Sequence, residues 1–461
     1  MTYPAPIRVA AGCRIAPESI RTVRAAALTF ASRYPTLPIG RLVSLCVPVA
    51  PSSLPDPTHI EGDTLWAAPS AQRWAVGRGE AVLVPSDGES APAHLARRFD
   101  ALRSTWDTDG PSSPPRAFFA FPFTGGADSP AVLWVPRVLV QRDGMVASVV
   151  LSVRGDGGPT MRVARLWADE LDRMMLGGAA TNRPWEPITV MRRSETPAPA
   201  EWMERVRDAA AAVAGGQLGK VVLSRRVDLE FSRPVDVPRM MRALVARYPD
   251  CTVFALPHGT GKVVAASPER LAVKLGNRVV SHALAGTARR GADPETDAVL
   301  AAELMASAKE RHEHALVVDA VARSLGEICT GIEHAREPRV MPLRLLQHLW
   351  TPVAGCVRTG NHLLDVVARL HPTPAVAGWP RGKALSWLNR IGERRDGWYS
   401  GVAGWIDALG DGEASVVLRS ALIENRAARL WAGAGIVGNS RPESELAETD
   451  IKFATLLELL E

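Results

Sequence analysis

Cysteine is scarce in this chain of 461 residues. The five cysteines are Cys13, Cys46, Cys251, Cys329 and Cys356, an odd number that forms no Cys-x-x-Cys pair and no metal-finger spacing. Such a pattern argues against a disulfide framework and a zinc finger, and it is typical of proteins kept in a reducing cytoplasm. We therefore expect a cytoplasmic protein.

Long apolar runs and an excess of one charge are also missing. No apolar run approaches the ~18 residues of a membrane span, and residues 1–14 lack the continuous apolar core of a secretory signal. The 54 Lys and Arg residues against 49 Asp and Glu residues leave a formal charge of +5, and the basic residues are spread along the chain. Neither a membrane nor nucleic acid is implied as a partner.

The composition that remains is that of a globular protein, with 46% hydrophobic and 22% charged residues. This length allows one large domain or two ordinary ones. Residues 1–195 are rich in Pro and Gly, which predicts short strands with long surface loops. Two prolines within residues 196–200 indicate a joint. We expect residues 1–195 to form a sheet-rich part of the same globular unit and residues 196–461 to carry the chemistry.

The second part mixes strand and helix patterns. Residues 201–214 predict a helix, and residues 220–231 alternate as a half-buried strand with Lys220 on the face opposite the apolar set. Turns at residues 258–261 and at residues 276–277 predict two hairpins, hence a mostly antiparallel sheet. Residues 297–327 read as one long helix, and residues 443–460 as a last one.

Two pairs of glutamates have matching spacing on these last two helices. Glu310 and Glu313 are three residues apart, as are Glu445 and Glu448, so each pair shares one helix face. The more common interpretation is that such glutamates face water. If the two helices lie side by side, the carboxylates instead converge on a hard divalent cation such as Mg²⁺.

Several other residues are weak candidates when taken alone. Lys220 fits a solvated strand end and Glu269 a turn carboxylate, but together they provide a base and an acid if burial lets each exchange a proton near neutral pH. The glycine-rich stretch from Gly433 could cradle a carboxylate with its amides, although it lacks the dinucleotide fingerprint. Arg419 and Lys452 fit either anion binding or the surface.

Taken together, several segments resemble those of the chorismate-utilising enzymes, in order and in separation. They are Lys220-Val221-Val222-Leu223-Ser224-Arg225, Ala266-Ser267-Pro268-Glu269, Ala285-Gly286-Thr287, Lys309-Glu310-Arg311-His312-Glu313-His314, Gly433-Ala434-Gly435-Ile436-Val437 and Glu445-Leu446-Ala447-Glu448-Thr449. The resemblance covers residues 201–461, with weaker similarity before them. This family includes anthranilate, aminodeoxychorismate, isochorismate and salicylate synthases.

Within the family, the chain is most similar to isochorismate synthases. His371-Pro372-Thr373-Pro374-Ala375 resembles their version of a segment that differs in the aminating enzymes, and Lys220 matches their water-activating base. The stretch of residues 118–123, followed by a run containing Trp134, looks like the longer enzymes of menaquinone pathways. Salicylate synthases keep the lysine too, so pyruvate elimination after isochorismate formation stays open as the alternative.

The resemblance also implies roles for individual residues. Lys220 would deprotonate the water that attacks C2 of chorismate, and Glu269 would protonate the hydroxyl leaving C4. Mg²⁺ would bind Glu313 and Glu448, while Glu310 and Glu445 hold its waters. The implied substrate-binding residues are Thr287, His348, Ala375, Tyr399, Arg419, Gly433 and Lys452. Two alternative interpretations remain: His348 as a core residue with its hydrogen bonds satisfied, and Tyr399 as a residue that fills space in the sheet.

The family further implies an architecture and a metabolic setting. We expect one large α+β domain of packed, mostly antiparallel sheets surrounded by helices, with the site in a deep cleft. Isochorismate would feed menaquinone or siderophore biosynthesis. No glutamine amidotransferase subunit is expected as a partner, because water replaces ammonia as the nucleophile.

Overall fold

The computed structural model describes residues 15–86, 91–110, 113–124, 130–176 and 188–460. The amino-terminal stretch 1–14, in which no signal segment is expected, lies outside these ranges, as does Cys13.

Helices and strands alternate irregularly along the chain. The helices are α1 (Pro17–Arg33), α2 (Ala91–Arg103), α3 (Thr160–Leu176), α4 (Pro199–Ala214), α5 (Val237–Arg247), α6 (Pro294–Ala306), α7 (Ala308–Gly326), α8 (Leu363–Leu370), α9 (Arg381–Arg390) and α10 (Pro442–Leu460). The strands are β1 (Leu42–Val49), β2 (Thr64–Ala68), β3 (Arg73–Ser86), β4 (Trp106–Asp109), β5 (Arg116–Phe121), β6 (Ala131–Asp143), β7 (Val146–Arg154), β8 (Val190–Thr196), β9 (Lys220–Phe231), β10 (Thr252–His258), β11 (Gly261–Ser267), β12 (Arg270–Leu275), β13 (Arg278–Arg289), β14 (Cys329–His334), β15 (Arg339–Pro342), β16 (Leu346–Val357), β17 (Gly378–Trp379), β18 (Val402–Asp407), β19 (Gly412–Val416), β20 (Ser420–Glu424) and β21 (Ala427–Ile436).

Nearly all strand pairs are antiparallel, and the strands join into one hydrogen-bonded network. Within the described ranges only β1 and β4 pair in parallel. The predicted hairpins are present as β10–β11 and β12–β13, and β9 runs beside β21 over ten residue pairs. The prediction of an α+β fold built on mostly antiparallel sheet is therefore confirmed.

Aromatic side chains fill the space between strand layers. One buried cluster consists of strand and loop residues alone, among them Trp66, Phe118, Trp134 and Phe254. Two larger clusters include the apolar faces of helices, and both combine residues from before and after residue 195. Apolar burial of this extent is the main force holding such layers together. The domain boundary near residue 195 remains a prediction.

The amino-terminal part differs from its prediction. The described part of residues 15–176 contains three α-helices and three short 3₁₀ helices in addition to strands, and β3 and β6 run for 14 and 13 residues instead of being short. In α3, Val163, Trp167 and Leu171 recur every four residues and are buried, which is the helical pattern that the Pro and Gly content obscured. Pro17 opens α1, a position where proline is tolerated.

The predicted single helix over residues 297–327 is wrong, because the chain breaks at Ser307. There the backbone is extended (φ −65°, ψ 111°) and the Ser307 hydroxyl accepts a hydrogen bond from the Glu310 amide, capping α7. Serine favours this position because its oxygen satisfies an amide that the first turn leaves free. The strand over residues 220–231 and the last helix are confirmed, but the first six residues of β9 are buried on both faces instead of one.

Among the described helices, none is long and apolar enough to cross a membrane.

Candidate active site

One cleft gathers eleven of the thirteen predicted site residues. They are Lys220, Glu269, Thr287, Glu313, His348, Ala375, Tyr399, Arg419, Gly433, Glu448 and Lys452. Glu310 and Glu445 do not line the cleft itself; Glu310 accepts from the amide of the lining residue Thr287, and Lys309 lies 3.9 Å from Glu445. The antiparallel network brings these distant segments together.

Strands form the floor of the cleft and helices α7 and α10 form one side. Strand β9 begins with Lys220, and β21 lies beside it with Gly433 opposite Ser224. Helix α7 packs on β13 and β16, and α10 packs on β21. Glu313 lies on the buried stripe of α7, and Glu445 on that of α10. These glutamates face the protein because each helix turns its apolar side inward.

Lys220 is a buried residue, so its interpretation as a solvated strand end is wrong. Only 2% of Lys220 is exposed, and its Nζ donates to Oε1 of Glu313 at 2.7 Å. Burial alone would raise the pKa of Glu313, but Lys220 outweighs it and holds that pKa below its usual value. Gly435 makes this pair possible, because a Cβ there would lie 2.6 Å from Cε of Lys220.

Glu269 is a buried carboxyl group with a raised pKa. It is 3% exposed, and burial raises its pKa to about 7, although Lys220 and the hydroxyl of Thr373 pull that pKa down. The Thr373 hydroxyl lies 3.4 Å from Oε1. A carboxyl group with such a pKa can exist in its protonated form near neutral pH, as a general acid requires. The turn that carries Glu269 is therefore part of the site wall.

The four glutamates of α7 and α10 converge, so their interpretation as water-facing residues is wrong. Glu313 and Glu445 are buried, and the other two are half-buried. Lysines neutralise part of the cluster: Lys452 Nζ pairs with Glu448 at 2.5 Å, and Lys309 Nζ lies 3.2 Å from Glu310 and 3.9 Å from Glu445.

These carboxylates have the chemistry that a hard divalent cation prefers, since every side-chain donor is an oxygen. Burial, and next the neighbouring Glu313, raises the pKa of Glu310, while burial and then Glu448 raise the pKa of Glu445 to about 7. Each of these two carboxyl groups has thus lost water beside a second carboxylate, an arrangement that a bound cation would stabilise. In the described part of the chain, no group of three or more His, Cys, Asp or Glu side chains is preformed for a metal ion. Mg²⁺ does not require such a group, because it takes one or two carboxylates and keeps several waters.

Cationic and aromatic side chains also line the cleft. Arg419 is half-buried there with a left-handed backbone (φ 47°), and its partial loss of water lowers its pKa. Across the described ranges, its guanidinium has no ion-pair partner. Backbone strain of this kind is concentrated at functional sites. Arg419 is therefore available to an anionic ligand, and the surface position considered for it is wrong.

Tyr399 and His348 lie near Arg419. Tyr399 is 4% exposed and stacks on Trp431, with ring centroids 6.0 Å apart. His348 Nδ1 lies 3.1 Å from the Thr287 hydroxyl, while its Nε2 is buried without a partner. Burial, with Arg419 and Lys452 nearby, lowers the pKa of His348 to about 3, so the ring is neutral. Both residues are buried and also line the cleft.

Gly433 contributes its carbonyl to the site, which accepts a hydrogen bond from Lys452 Nζ at 2.7 Å. A Cβ at Gly433 would lie 2.8 Å from the Tyr399 hydroxyl, so the position needs glycine. The carboxylate cradle of backbone amides stays a prediction.

Sequence reasoning missed several lining residues. Ser400 and Leu418 line the cleft beside Tyr399 and Arg419, and no sequence pattern marked them. Gly435 and Gly286 lie within recognised segments, but the sequence did not indicate that their lack of a side chain leaves room for neighbouring side chains. Thr373 lies in a recognised segment too, and its contact with Glu269 depends on the fold.

A cleft with a buried base candidate, a buried acid, an unpaired arginine and a carboxylate cluster is typical of an enzyme that performs proton transfer on a small anionic substrate. The family model for "Chorismate binding enzyme" matches residues 52–461. The chain belongs to the chorismate binding enzyme family.

Individual relatives agree with this membership. Isochorismate synthase MenF of Bacillus subtilis is 36% identical over 260 residues, 56% of this chain and 55% of that protein. Isochorismate synthase EntC of Escherichia coli is 36% identical over 273 residues, 59% of this chain and 70% of that protein. The match thus spans little more than half of the Bacillus protein.

A solved structure covers more of the chain. The menaquinone-specific isochorismate synthase MenF from Escherichia coli superimposes with a TM-score of 0.81 at 26% identity, covering 96% of this chain and all of that one. The fold expected from the resemblance is therefore confirmed over nearly the whole chain.

Proposed function

We propose that this protein is an isochorismate synthase, which isomerises chorismate by adding water at C2 and releasing the C4 hydroxyl. The observation that carries the proposal is that two buried residues, Lys220 and Glu269, line the same cleft of a chorismate binding enzyme. The relatives reported above bear that name. Isochorismate would enter menaquinone or siderophore biosynthesis, and the solved Escherichia coli relative is a menaquinone-specific enzyme.

The two side chains divide the proton transfers. Lys220 removes a proton from the attacking water as it bonds to C2, and Glu269 gives its proton to the hydroxyl that leaves C4. One water enters and one leaves, so the product is an isomer. The raised pKa of Glu269 supports its role as the acid. As a base Lys220 would act as the neutral amine, which still has N–H groups that can donate to Glu313.

The cationic groups of the cleft would hold the substrate's carboxylates. Arg419 supplies an unpaired guanidinium, and Tyr399 lies near it. Lys452 and His348 are further hydrogen-bonding groups that line the cleft. A guanidinium favours a carboxylate strongly because it can donate two parallel hydrogen bonds. This placement would orient the ring between Lys220 and Glu269.

The carboxylate cluster would hold Mg²⁺, with Glu313 and Glu448 as ligands and Glu310 and Glu445 holding its waters. Bound Mg²⁺ would neutralise the ring carboxylate of chorismate and fix its position. The position of Glu310 beside Glu313, and of Glu445 beside Glu448, supports this assignment.

Water is the proposed nucleophile, so no amidotransferase partner is required. The cytoplasm is the proposed location, in keeping with free thiols at Cys46, Cys251, Cys329 and Cys356.

The test is one incubation of the protein with chorismate and Mg²⁺ in ¹⁸O water containing saturating ammonium. Isochorismate with solvent oxygen at C2 and an intact enolpyruvyl group is the expected product. An aminated ring would contradict the proposal, and salicylate with released pyruvate would favour the alternative, a salicylate synthase. No turnover with Mg²⁺ present would also count against it.

A further inference from the structure

Arg395 is a buried cation that the mechanism above does not use. It lies in the loop between α9 and β18, and only 1% of its side chain is exposed. Its Nη1 donates to the carbonyl of Val376 at 2.6 Å, and its Nη2 donates to the carbonyl of Val222 at 2.7 Å. Both acceptors belong to residues that line the active-site cleft. We call these two hydrogen bonds the Arg395 bridge, because they join two separate segments of the cleft lining.

One end of the bridge lies at a gap in the sheet. The start of β9 pairs with β17 and its second half pairs with β8, while β21 occupies the other edge. Between β17 and β8, this edge of β9 has no strand partner within the described ranges. There Arg395 donates to the Val222 carbonyl, and Glu393 accepts from the Ser224 amide at 2.8 Å. Two side chains thus satisfy backbone groups that would be costly to leave unpaired.

The other end of the bridge holds a turn beside the proposed acid. The amides of Val376 and Ala377 both donate to the carbonyl of Thr373, at 3.1 and 2.9 Å, so these residues form one compact turn. The hydroxyl of Thr373, in the same turn, lies 3.4 Å from Oε1 of Glu269. Hydrogen-bonded groups of this kind carry energetic coupling from one residue to the next. Fixing the Val376 carbonyl therefore also fixes the hydroxyl that contacts Glu269.

The strand end of the bridge is close to the proposed base. Lys220 begins β9, and Val222 follows it on the same strand. The Cζ atom of Arg395 lies 4.1 Å from the centroid of the Phe123 ring, so the guanidinium is packed on an aromatic face. A planar guanidinium also donates in fixed directions. The bridge is thus a rigid link from the strand of Lys220 to the turn that contacts Glu269.

We propose that Arg395 is a positioning residue for the reaction, which fixes the strand carrying Lys220 relative to the turn that contacts Glu269. The inference rests on the proposed function, in which these two residues are the base and the acid. Arg395 acts through other residues, because both of its hydrogen bonds go to backbone carbonyls. A misplacement of about 1 Å can cost about 10² in rate, so loosening the bridge lowers kcat.

The first experiment compares the unaltered enzyme with Arg395→Lys. Lysine keeps the charge and a donor, but it lacks the planar fork that reaches both carbonyls. The variant should fold and form isochorismate with a kcat about 10–100-fold lower. In hydrogen–deuterium exchange, the amides of Val376 and Ala377 should exchange about 10-fold faster, the usual effect of losing a charge-assisted hydrogen bond.

The exchange measurement does not require turnover. Faster exchange in Arg395→Lys, together with no isochorismate from the unaltered enzyme, would support the bridge and contradict the proposed function. Unchanged exchange would overturn the bridge whatever reaction the enzyme performs.

A double-mutant cycle separates positioning from a general loss of structure. If Arg395 acts through the turn, Thr373→Val should also lower kcat, by about 10-fold. The variant that combines Arg395→Lys with Thr373→Val should then lose little more than the larger of the two single losses, because both substitutions remove the same coupling. A loss of structure unrelated to this contact would instead make the two effects multiply.

Arg381→Lys is the matched control. Arg381 also donates to backbone carbonyls, those of Arg369 and Leu370 at 3.0 Å each, just before the same turn. Neither of those residues lines the cleft. The control should keep the kcat and the exchange rates of the unaltered enzyme. A normal kcat in Arg395→Lys, multiplying losses in the double-mutant cycle, or an equal loss in Arg381→Lys would overturn the proposal.

Discussion

Replacing Glu269 by glutamine should make the protein more stable at alkaline pH while removing most of its activity. The carboxyl group has a pKa of about 7 in the folded protein against 4.5 normally, chiefly because it is buried. Between those two values the folded state keeps a proton that the unfolded chain releases. Folding therefore loses stability as the pH rises through this window. The glutamine cannot ionise, and it retains an acceptor for Thr373.

The magnitude follows from the size of the shift. A rise from 4.5 to about 7 corresponds to about 3 kcal/mol at about 1.36 kcal/mol per pKa unit. For a chain of 461 residues the unfolding entropy is about 1 kcal/mol/K, from about 2.1 cal/mol/K per residue. Glu269→Gln should thus raise Tm by about 3 °C at pH 8.5 and leave it nearly unchanged at pH 4.5.

The assay is thermal unfolding of both proteins across this pH range, together with the rate of isochorismate formation. Glu445 titrates in the same window, but both proteins share it, so the difference between them isolates Glu269. The exposed Glu230→Gln variant is the control and should not change Tm at any pH. The rate should fall by roughly 10²–10⁴. A variant that is equally or less stable at pH 8.5, or one with normal turnover, would refute the reasoning.

Three further predictions concern the same cleft. Chelating Mg²⁺ should abolish turnover, and metal-independent turnover would contradict this. Glu313→Gln or Glu448→Gln should raise the Mg²⁺ concentration that gives a half-maximal rate about 10–100-fold, whereas Glu230→Gln should leave that concentration unchanged. Lys220→Ala should lower kcat by roughly 10²–10⁴ in a folded protein, measured by product formation, and a rate near that of the unaltered enzyme would remove Lys220 from the mechanism. Gly435→Ala should lower kcat about 10²-fold, because the new Cβ displaces the Lys220 side chain. An unchanged kcat would show that the lysine has room to move.

Much of the carboxy-terminal fold was predictable from local patterns. The alternation over residues 220–231, the two hairpin turns and the last helix depend on contacts between near neighbours, so the sequence expresses them directly. The helices before residue 177 were missed because Pro and Gly in the loops dominated the composition. The break at Ser307 was missed because serine caps a helix without the obvious signal of Gly or Pro.

The candidate site was predictable in its members but not in its contacts. Spacing placed Glu313 near Glu310 and Glu448 near Glu445, and the resemblance to a family supplied most of the other residues. The pairing of Lys220 with Glu313 joins residues 93 positions apart, so it follows from the packing of α7 on the sheet. The same holds for Arg419: whether its guanidinium has an ion-pair partner depends on which residues the fold packs around it.

The residue types, the family and the strand and helix patterns of the carboxy-terminal part could be read from the sequence alone. Which of these groups lose contact with water depends on the tertiary structure. Burial is a property of the whole packing: it raises the pKa of Glu269, brings Lys220 against Glu313 and leaves Arg419 in the cleft without an ion-pair partner. Because the free energy of a charge depends on its surroundings more than on its neighbours in the chain, reactivity in this protein is set by the fold.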